Sequence, residues 1–588
     1  MTAVATDGVL GRLNAQSPSA PLRPVGFRRY RVPMVLAALA LTFYLPGFWW
    51  GAPHATSYDH ARSWGVDDET PLGPLSQVHN IVQPKAFQNL GYPLMSSFVY
   101  AAAYAPYLAY LRVTGGLGRL SGEYPFGLKD PVSALRTLSL IAHLVSVLMG
   151  TIIVVAAFDA GRVLWDRRAG VLAALFMMTS FPMFYYARTG NVDVPVLCFT
   201  ALALAAFARS VALGISVRRA AWLGAFVGFA LATKEPAFAS FLAVPVVLIV
   251  LQARRTHGWK SAEFWKAPLV ALGSTILAFG AGSGLFVDPE RYFAHIEFGR
   301  SRLNAARAGS IAAYHAFPRT VDGHLELASA IWQHLVDAMT LPGVLLALAG
   351  VLLAIWRHPL SATLALSALT YLLILFWSAR MTQLRYVMPA VFPLALFAGF
   401  AATYALRSRR VILRVAGAAL AIGAIGIGAM RGLDLTHAMI ADSRYEAGAW
   451  LKSRAQPGDR IEFFGPEQKL PPVEGGVITA RAIPYRGLSN PIPGGPAAVA
   501  EIRRGWRERA PEFVIIMPDH TGPYDSPHGA ACPPEIYSDL LSGAAGYRLA
   551  AYFETPRLFS WLRRPELDYP TVNPPIRIFQ REQGEHRG

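Results

Sequence analysis

The feature that most restricts this 588-residue chain is a succession of about eleven apolar stretches within its first 430 positions. They run 33–50, 137–158, 169–186, 194–208, 220–232, 236–251, 267–287, 341–356, 360–377, 387–406 and 411–430. A helix needs roughly 20 mostly apolar residues to cross a bilayer, and shorter runs cross when their flanking side chains snorkel. Backbone in lipid must satisfy its own polar groups, so runs of this kind are expected as α-helices. Composition agrees, with 53% hydrophobic and 15% charged residues, where soluble chains average about 25% charged.

The net charge of +17 would suit nucleic acid if the bases formed one solvated face, but here they come as short clusters between the apolar runs, so nucleic acid is not an expected partner. Such clusters mark cytoplasmic helix ends. The segment from Tyr92 to Leu111 is also apolar, and parity decides how to read it. If it does not cross, Arg28-Arg29-Arg31, Arg162 with Arg167-Arg168, Arg218-Arg219, Arg254-Arg255, Arg357 and Arg407 with Arg409-Arg410 share one face. That face is then the cytoplasm, and Tyr92–Leu111 is expected to lie along the interface. The expected layout is a polar cytoplasmic tail over 1–32, a membrane domain over 33–430 with outer loops 51–136 and 288–338, and an extracytoplasmic region over 436–588. A multi-pass protein of the cell inner (cytoplasmic) membrane, with its N-terminus in the cytoplasm, follows from this reading. Cys198 lies in an apolar run and Cys532 in a distant polar region, so no disulfide framework is expected.

Beyond about Thr436 the composition becomes that of a small soluble α/β domain. Ser443-Arg444-Tyr445-Glu446 reads as a capping box opening a helix that Gln456-Pro457-Gly458-Asp459 stops. Apolar runs at 461–464, 513–517 and 576–579 read as strands, with an amphipathic helix over 497–508 between the first two. The fold class expected is therefore mostly α, a polytopic membrane protein with about eleven transmembrane helices and a small C-terminal extracytoplasmic α/β domain.

Candidate chemistry gathers on the outer side. The first outer loop holds Asp59, Asp67, Asp68 and Glu69, with His54, His60, His79 and Lys85 nearby. An acidic cluster of this kind can be a solvated loop, but a carboxylate at the membrane surface can also take a proton from an attacking hydroxyl. Arg188-Thr189-Gly190-Asn191-Val192-Asp193-Val194-Pro195 places an acid at the mouth of a span, where it is either an interfacial residue or a functional one. Thr233-Lys234-Glu235-Pro236 sits in a tight outer turn whose charges either neutralise each other or offer a cation to a lipid-linked phosphate. Gln383-Leu384-Arg385-Tyr386, with Arg380, offers bidentate donors at headgroup depth or snorkelling anchors. The loop after Asp288 adds Arg300, Arg302, Arg307, His295 and His315 with a balance that suits a solvated helix as well as a lid. No His-Glu-x-x-His spacing supports a zinc site.

Taken in order, Asp68-Glu69, Gln83-Pro84-Lys85-Ala86-Phe87, Tyr92-Pro93-Leu94, Asn191-Val192-Asp193-Val194-Pro195, Ala232-Thr233-Lys234 and Arg385-Tyr386-Val387-Met388-Pro389 resemble the motifs of GT-C membrane glycosyltransferases. The branch most similar is the phospholipid-carrier-dependent one, which includes protein O-mannosyltransferases and the lipid A aminoarabinose transferase. The resemblance spans roughly residues 30–430. It implies inverting transfer of a sugar from a polyprenyl-phosphate carrier to an acceptor hydroxyl on the extracytoplasmic face. By the same resemblance Asp68 is the general base, with Glu69 beside it, and Asp193 is the second acidic position. Lys234 and Arg385 hold the leaving phosphate, and Lys85, Tyr92, Arg188 and Tyr386 complete the substrate-binding set. No cofactor is required, although a divalent metal serves some relatives with pyrophosphate donors. Expected partners are the lipid-linked donor, the bilayer, and an acceptor glycan, lipid or protein.

A secondary transporter or lipid flippase is the main rival, but no inverted repeat is visible and the ionisable residues gather at outer ends rather than the bilayer midplane. A polysaccharide polymerase or ligase, or a noncatalytic assembly protein, would share the compartment. The topology itself predicts that single cysteines at Ser76 and Ser489 react with an impermeant thiol reagent added to intact cells, and protection of either would overturn it.

Overall fold

The computed structural model describes residues 30–54, 61–65, 68, 71–82, 90–121, 123–256, 259–307, 317–473, 476–483, 495–518, 531–567 and 571–582. Expectations on the tail over 1–29 and on Asp59, His60, Asp67, Glu69, Lys85 and His315 fall outside these residues. The chain is a multi-pass helical membrane protein with a small mixed sheet at its C-terminal end.

Every expected span coincides with helical structure, yet the count of eleven is not met. Seven helices are long and apolar enough to cross, or eight if the bent pair Val321–Met339 and Leu341–Arg357 counts as one span. The shortfall has a simple cause: Arg31–Tyr44 and Arg167–Met178 have 14 and 12 residues, shorter than their apolar runs suggested, and Val217–Thr233, at 17, is also short for a crossing helix. Leu341–Arg357 follows a 103° bend at Thr340, a non-glycine residue held at φ +65°. Met95–Val113, the segment read as interfacial, is not in the crossing set. It packs through Tyr100 and Tyr104, while Tyr110 and Val113 stay exposed.

Caps explain several helix starts. Asp130 precedes Pro131 and accepts the Ser133 N–H at 3.1 Å, opening the 34-residue helix Pro131–Leu164. Asp166 and Ser216 do the same for the helices that begin at Arg167 and Val217. Where helices touch, small residues permit close approach. A Cβ added at Gly224 would come within 2.1 Å of the Ala271 carbonyl oxygen, and one at Gly228 within 2.5 Å of that of Thr275. Thr275 also donates to the Gly224 carbonyl at 3.1 Å, which fastens Val217–Thr233 to Ala262–Ser283. Leu269, Leu272, Ile276 and Leu277 of the second helix are exposed, as are Val411, Ile412, Val415 and Ile422 of Val411–Ile440. Apolar faces of that extent are stable against lipid.

The C-terminal region forms a five-stranded sheet of β1 Arg460–Phe463, β2 Ile478–Arg481, β3 Phe513–Ile516, β4 Tyr547–Phe553 and β5 Ile576–Arg581 in the order β2-β1-β3-β5-β4. β1 pairs parallel with β2 and β3, whereas β5 is antiparallel to β3 and β4. β3 is buried on both faces, so Phe-Val-Ile-Ile carries no polar alternation. Phe513 and Ile515 face the helix Ser443–Arg454 through Leu451, while Val514 and Ile516 face Pro496–Arg509 and Pro534–Ser542 through Ile502 and Ile536. The expected capping box at Ser443 is corrected by one residue. Asp442 is the cap, its carboxylate accepting the Arg444 N–H at 3.1 Å.

Glu462 of β1 is fully buried and accepts from Arg509 Nε at 2.6 Å, Arg460 Nε at 2.9 Å and Trp506 Nε1 at 2.9 Å. Burial alone would raise its carboxyl, but the hydrogen bonds from Arg509 and Arg460 outweigh this and hold it below the usual carboxylate range. A group depressed on folding stabilises above its unfolded pKa and loses that contribution as pH falls through the folded value. Glu462→Gln should therefore cost about 3 kcal/mol near neutral pH. The difference from wild type, read by thermal unfolding of the purified full chain, should shrink on acidification, and a pH-independent difference would contradict the assignment.

Candidate active site

Asp193 opens the helix Asp193–Leu213, and the turn before it is tightly tied. Asn191 Oδ1 accepts the N–H groups of Asp193 at 2.8 Å and Val194 at 3.3 Å, and its amide donates to the carbonyls of Tyr186 and Thr189 at 3.1 and 3.0 Å. From Met95–Val113, the Tyr100 hydroxyl donates to the Asn191 carbonyl at 2.7 Å. A carboxylate in the first turn of a helix also meets the positive end of its dipole.

Two cations converge on this carboxylate from elements distant in sequence. Lys234 follows the helix Val217–Thr233 in extended conformation, and its Nζ lies 2.7 Å from Asp193 Oδ1. Arg385 sits on the short turn Leu384–Val387 before Met388–Leu406, with Nη1 3.8 Å from Asp193 Oδ2. The second distance is an ion pair without a hydrogen bond, and Oδ2 is buried with no hydrogen-bond partner. The rings of Tyr92 and Tyr386 stand 5.5 and 5.4 Å from Lys234 Nζ, and the Tyr386 ring is 5.4 Å from the Arg385 guanidinium. Two cations from different elements thus meet one carboxylate in a region bounded by aromatic faces that favour cations.

Asp68 reaches the same turn. Its Oδ1 accepts the Gly190 N–H at 2.6 Å, three residues before Asp193, and its Oδ2 lies 3.0 Å from His143 Nε2. The structure thus gathers Asp68, Asp193, Lys234, Arg385, Tyr92 and Tyr386 around residues 190–193. Arg188 is placed differently. Its guanidinium is fully buried and donates to the carbonyls of Tyr44, Phe184 and Phe43 and to Thr436 Oγ1, so it works as a strut joining the Arg31–Tyr44 and Val411–Ile440 helices. Glu69 and Lys85 fall outside the described residues.

His143 escaped the sequence reading. The available signal was a lone ionisable residue within Leu-Ile-Ala-His-Leu-Val-Ser-Val, since such residues inside spans are costly and usually partnered. The loop after Asp288 adds further support. Arg291 Nε donates to Gln77 Oε1 at 2.9 Å and Nη2 to the Tyr92 carbonyl at 3.2 Å. His295 bonds the Leu90 carbonyl at 2.6 Å and pairs with Glu235, the neighbour of Lys234. The helix Pro289–Arg307 therefore holds the Tyr92 segment against the turn that carries Lys234. Among the described residues no three His, Cys, Asp or Glu side chains converge as a metal site.

The family model of dolichyl-phosphate-mannose-protein mannosyltransferase matches residues 137–278. That segment carries His143, the Asp193 turn and Lys234. No curated protein matches the chain. Among solved structures, the Archaeoglobus fulgidus oligosaccharyltransferase aligns at 12% identity over 90% of this chain and 73% of its own, with a TM-score of 0.44. ArnT from Cupriavidus metallidurans in the apo state aligns at 12% identity over 94% and 98%, with a TM-score of 0.42. The Saccharomyces cerevisiae Pmt1-Pmt2 protein O-mannosyltransferase aligns at 15% identity over 47% and 34%, with a TM-score of 0.32.

Burial would lower the His295 pKa, but the hydrogen bond and charge of Glu235 outweigh it and raise it. A group raised on folding stabilises below its unfolded pKa and loses that contribution as pH rises through the folded value. His295→Gln should lower the unfolding temperature at mildly acidic pH and converge on wild type as pH rises through that value. A gap that widened with pH would contradict the pairing.

Proposed function

We propose that this protein is a glycosyltransferase that moves a sugar from a polyprenyl monophosphate to an acceptor hydroxyl at the outer membrane surface, with inversion at the anomeric carbon. The observation that carries this reading is the convergence of two cations, the partly buried Lys234 and the buried Arg385, on Asp193 at the mouth of the spans. Their converging positive charge suits a leaving phosphate on a lipid, whose developing charge is stabilised most by cations already in place in a site of low dielectric. The match to a mannosyltransferase family model over the segment that contains Asp193 and Lys234 supports the same chemistry.

In the reaction the acceptor oxygen attacks the anomeric carbon and forms the new glycosidic bond. The bond from that carbon to the phosphate oxygen breaks, and its electron pair leaves with the lipid phosphate beside Lys234 and Arg385. The acceptor proton passes to Asp68. Each of its carboxylate oxygens accepts one hydrogen bond in this arrangement, which leaves lone pairs for the hydroxyl. Asp193 keeps the two cations in register, and its unpartnered Oδ2 is an acceptor for a sugar hydroxyl. A divalent metal between the two acids fits poorly, because two positive charges already surround Asp193 and Asp68 is engaged by Gly190 and His143. We place the reaction in the inner membrane, with the region from Thr436 onward outside the cytoplasm.

The test uses the purified full chain in lipid nanodiscs with a panel of polyprenyl-phosphate monosaccharides, scoring release of polyprenyl phosphate. Asp68→Asn and Asp193→Asn should each lower kcat by at least about 100-fold without loss of membrane abundance. Lys234→Met should weaken binding of polyprenyl phosphate itself. Full activity in both carboxylate variants would sink the reading.

A further inference from the structure

His143 lies in the middle of an apolar helix, is completely buried, and makes two polar contacts with elements far away in sequence. Its Nδ1 is 2.6 Å from the Phe48 carbonyl oxygen, which can only accept, so Nδ1 carries a hydrogen. Nε2 then faces Asp68 Oδ2 at 3.0 Å. A neutral ring with hydrogen on Nδ1 would present a lone pair to a carboxylate lone pair, a repulsive contact in a buried place. The geometry therefore requires one further proton between Nε2 and Oδ2. With it, every polar atom of the pair is satisfied: Phe48 accepts from Nδ1, Oδ2 and Nε2 share the proton, and Oδ1 accepts from Gly190 at 2.6 Å.

We infer that His143 is a positioning residue for the reaction, holding the Asp68 carboxylate through a proton on the Nε2–Oδ2 axis while the Gly190 N–H holds the other oxygen. The inference rests on the reading of Asp68 as the base. Two donors from different elements, the Pro131–Leu164 helix and the 190–193 turn, leave the carboxylate no free rotation about its Cβ–Cγ bond. The remaining lone pairs then keep one direction, as a base must when the acceptor hydroxyl arrives in a single orientation. Phe48, at the end of the segment that follows Arg31–Tyr44, sets the ring plane in turn. A histidine that merely filled the core would need neither the carbonyl behind it nor the carboxylate in front. Of the charged groups among the described residues, Asp68 is the one that bears on the ring, while Tyr100 from the neighbouring helix is engaged with Ser146 and the Asn191 carbonyl.

The test compares His143→Gln, whose amide can still donate to Oδ2, with His143→Leu, which cannot. His143→Leu should lower kcat roughly 10- to 100-fold while the KM for the lipid donor stays within about twofold, and Gln should recover part of the loss. Adding His143→Leu to Asp68→Asn should slow the enzyme no further. Unchanged kcat in Leu, or equal losses in Gln and Leu, would overturn the inference while leaving the base assignment intact. An active Asp68→Asn protein would instead sink the reading on which it rests. A second measurement needs neither a histidine variant nor turnover. In wild-type protein labelled with 15N-histidine, one ring should show a hydrogen on Nδ1 and a hydrogen-bonded Nε2 by solid-state NMR, and Asp68→Asn should displace that resonance. Histidine spectra identical in the two proteins would overturn the inference.

Discussion

A carboxylate inside a membrane protein is tolerable only with partners, and that requirement organises this molecule. Asp193 is buried, and its charge is met by Lys234 from one interhelical turn and Arg385 from another. Neither cation is near it in the chain, so the pairing can form only when the helices opening at Asp193 and Met388 and the helix ending at Thr233 have packed. The glycine contacts at 224 and 228 and the tied turn at Asn191 serve the same end, because they fix the backbone from which these three side chains project.

The Asp68 pair extends the same logic to a second charge. Its partner lies on a fourth element and its other oxygen returns to the Asp193 turn, so both acids are referenced to residues 190–193. Outside this centre, Pro289–Arg307 presses on the Tyr92 segment through Arg291 and His295, which keeps an aromatic face beside Lys234. A site assembled from so many loops needs each of them clamped to a rigid neighbour.

Much of this was legible in the sequence because hydropathy and charge placement are local signals. The apolar runs found the helices, and β1, β3, β5 and the helix Pro496–Arg509 lie where short apolar runs or amphipathic periodicity put them. Asp193, Lys234 and Arg385 stood out as charges where spans begin. What stayed hidden was of another kind. Span lengths failed because an apolar run does not reveal where a helix breaks, as at 178 or 340. β2 lacked an apolar signal, with Ile-Thr-Ala-Arg half exposed, and β4 went unread although Tyr547–Phe553 is mostly apolar, because its middle faces outward. The role of Arg188 depends on carbonyls of Phe43 and Tyr44, and that of His143 on Phe48 and Asp68, contacts that no spacing rule encodes.

The junction between the helices and the C-terminal sheet region carries its own consequence. Asp442 accepts from Trp50 Nε1 at 2.9 Å and from Arg444, whose guanidinium lies 3.9 Å from the centre of the Trp64 ring. Tyr445 packs on Trp64 and receives the Gly51 N–H, and Asp434 receives Arg557 and the Leu558 N–H. Trp64 stands four positions before Asp68. The C-terminal sheet region is thus a fitted partner rather than an interchangeable appendage: a chimera that exchanged it would have to bring a matching 50–64 segment, or it would loosen the support beneath Asp68.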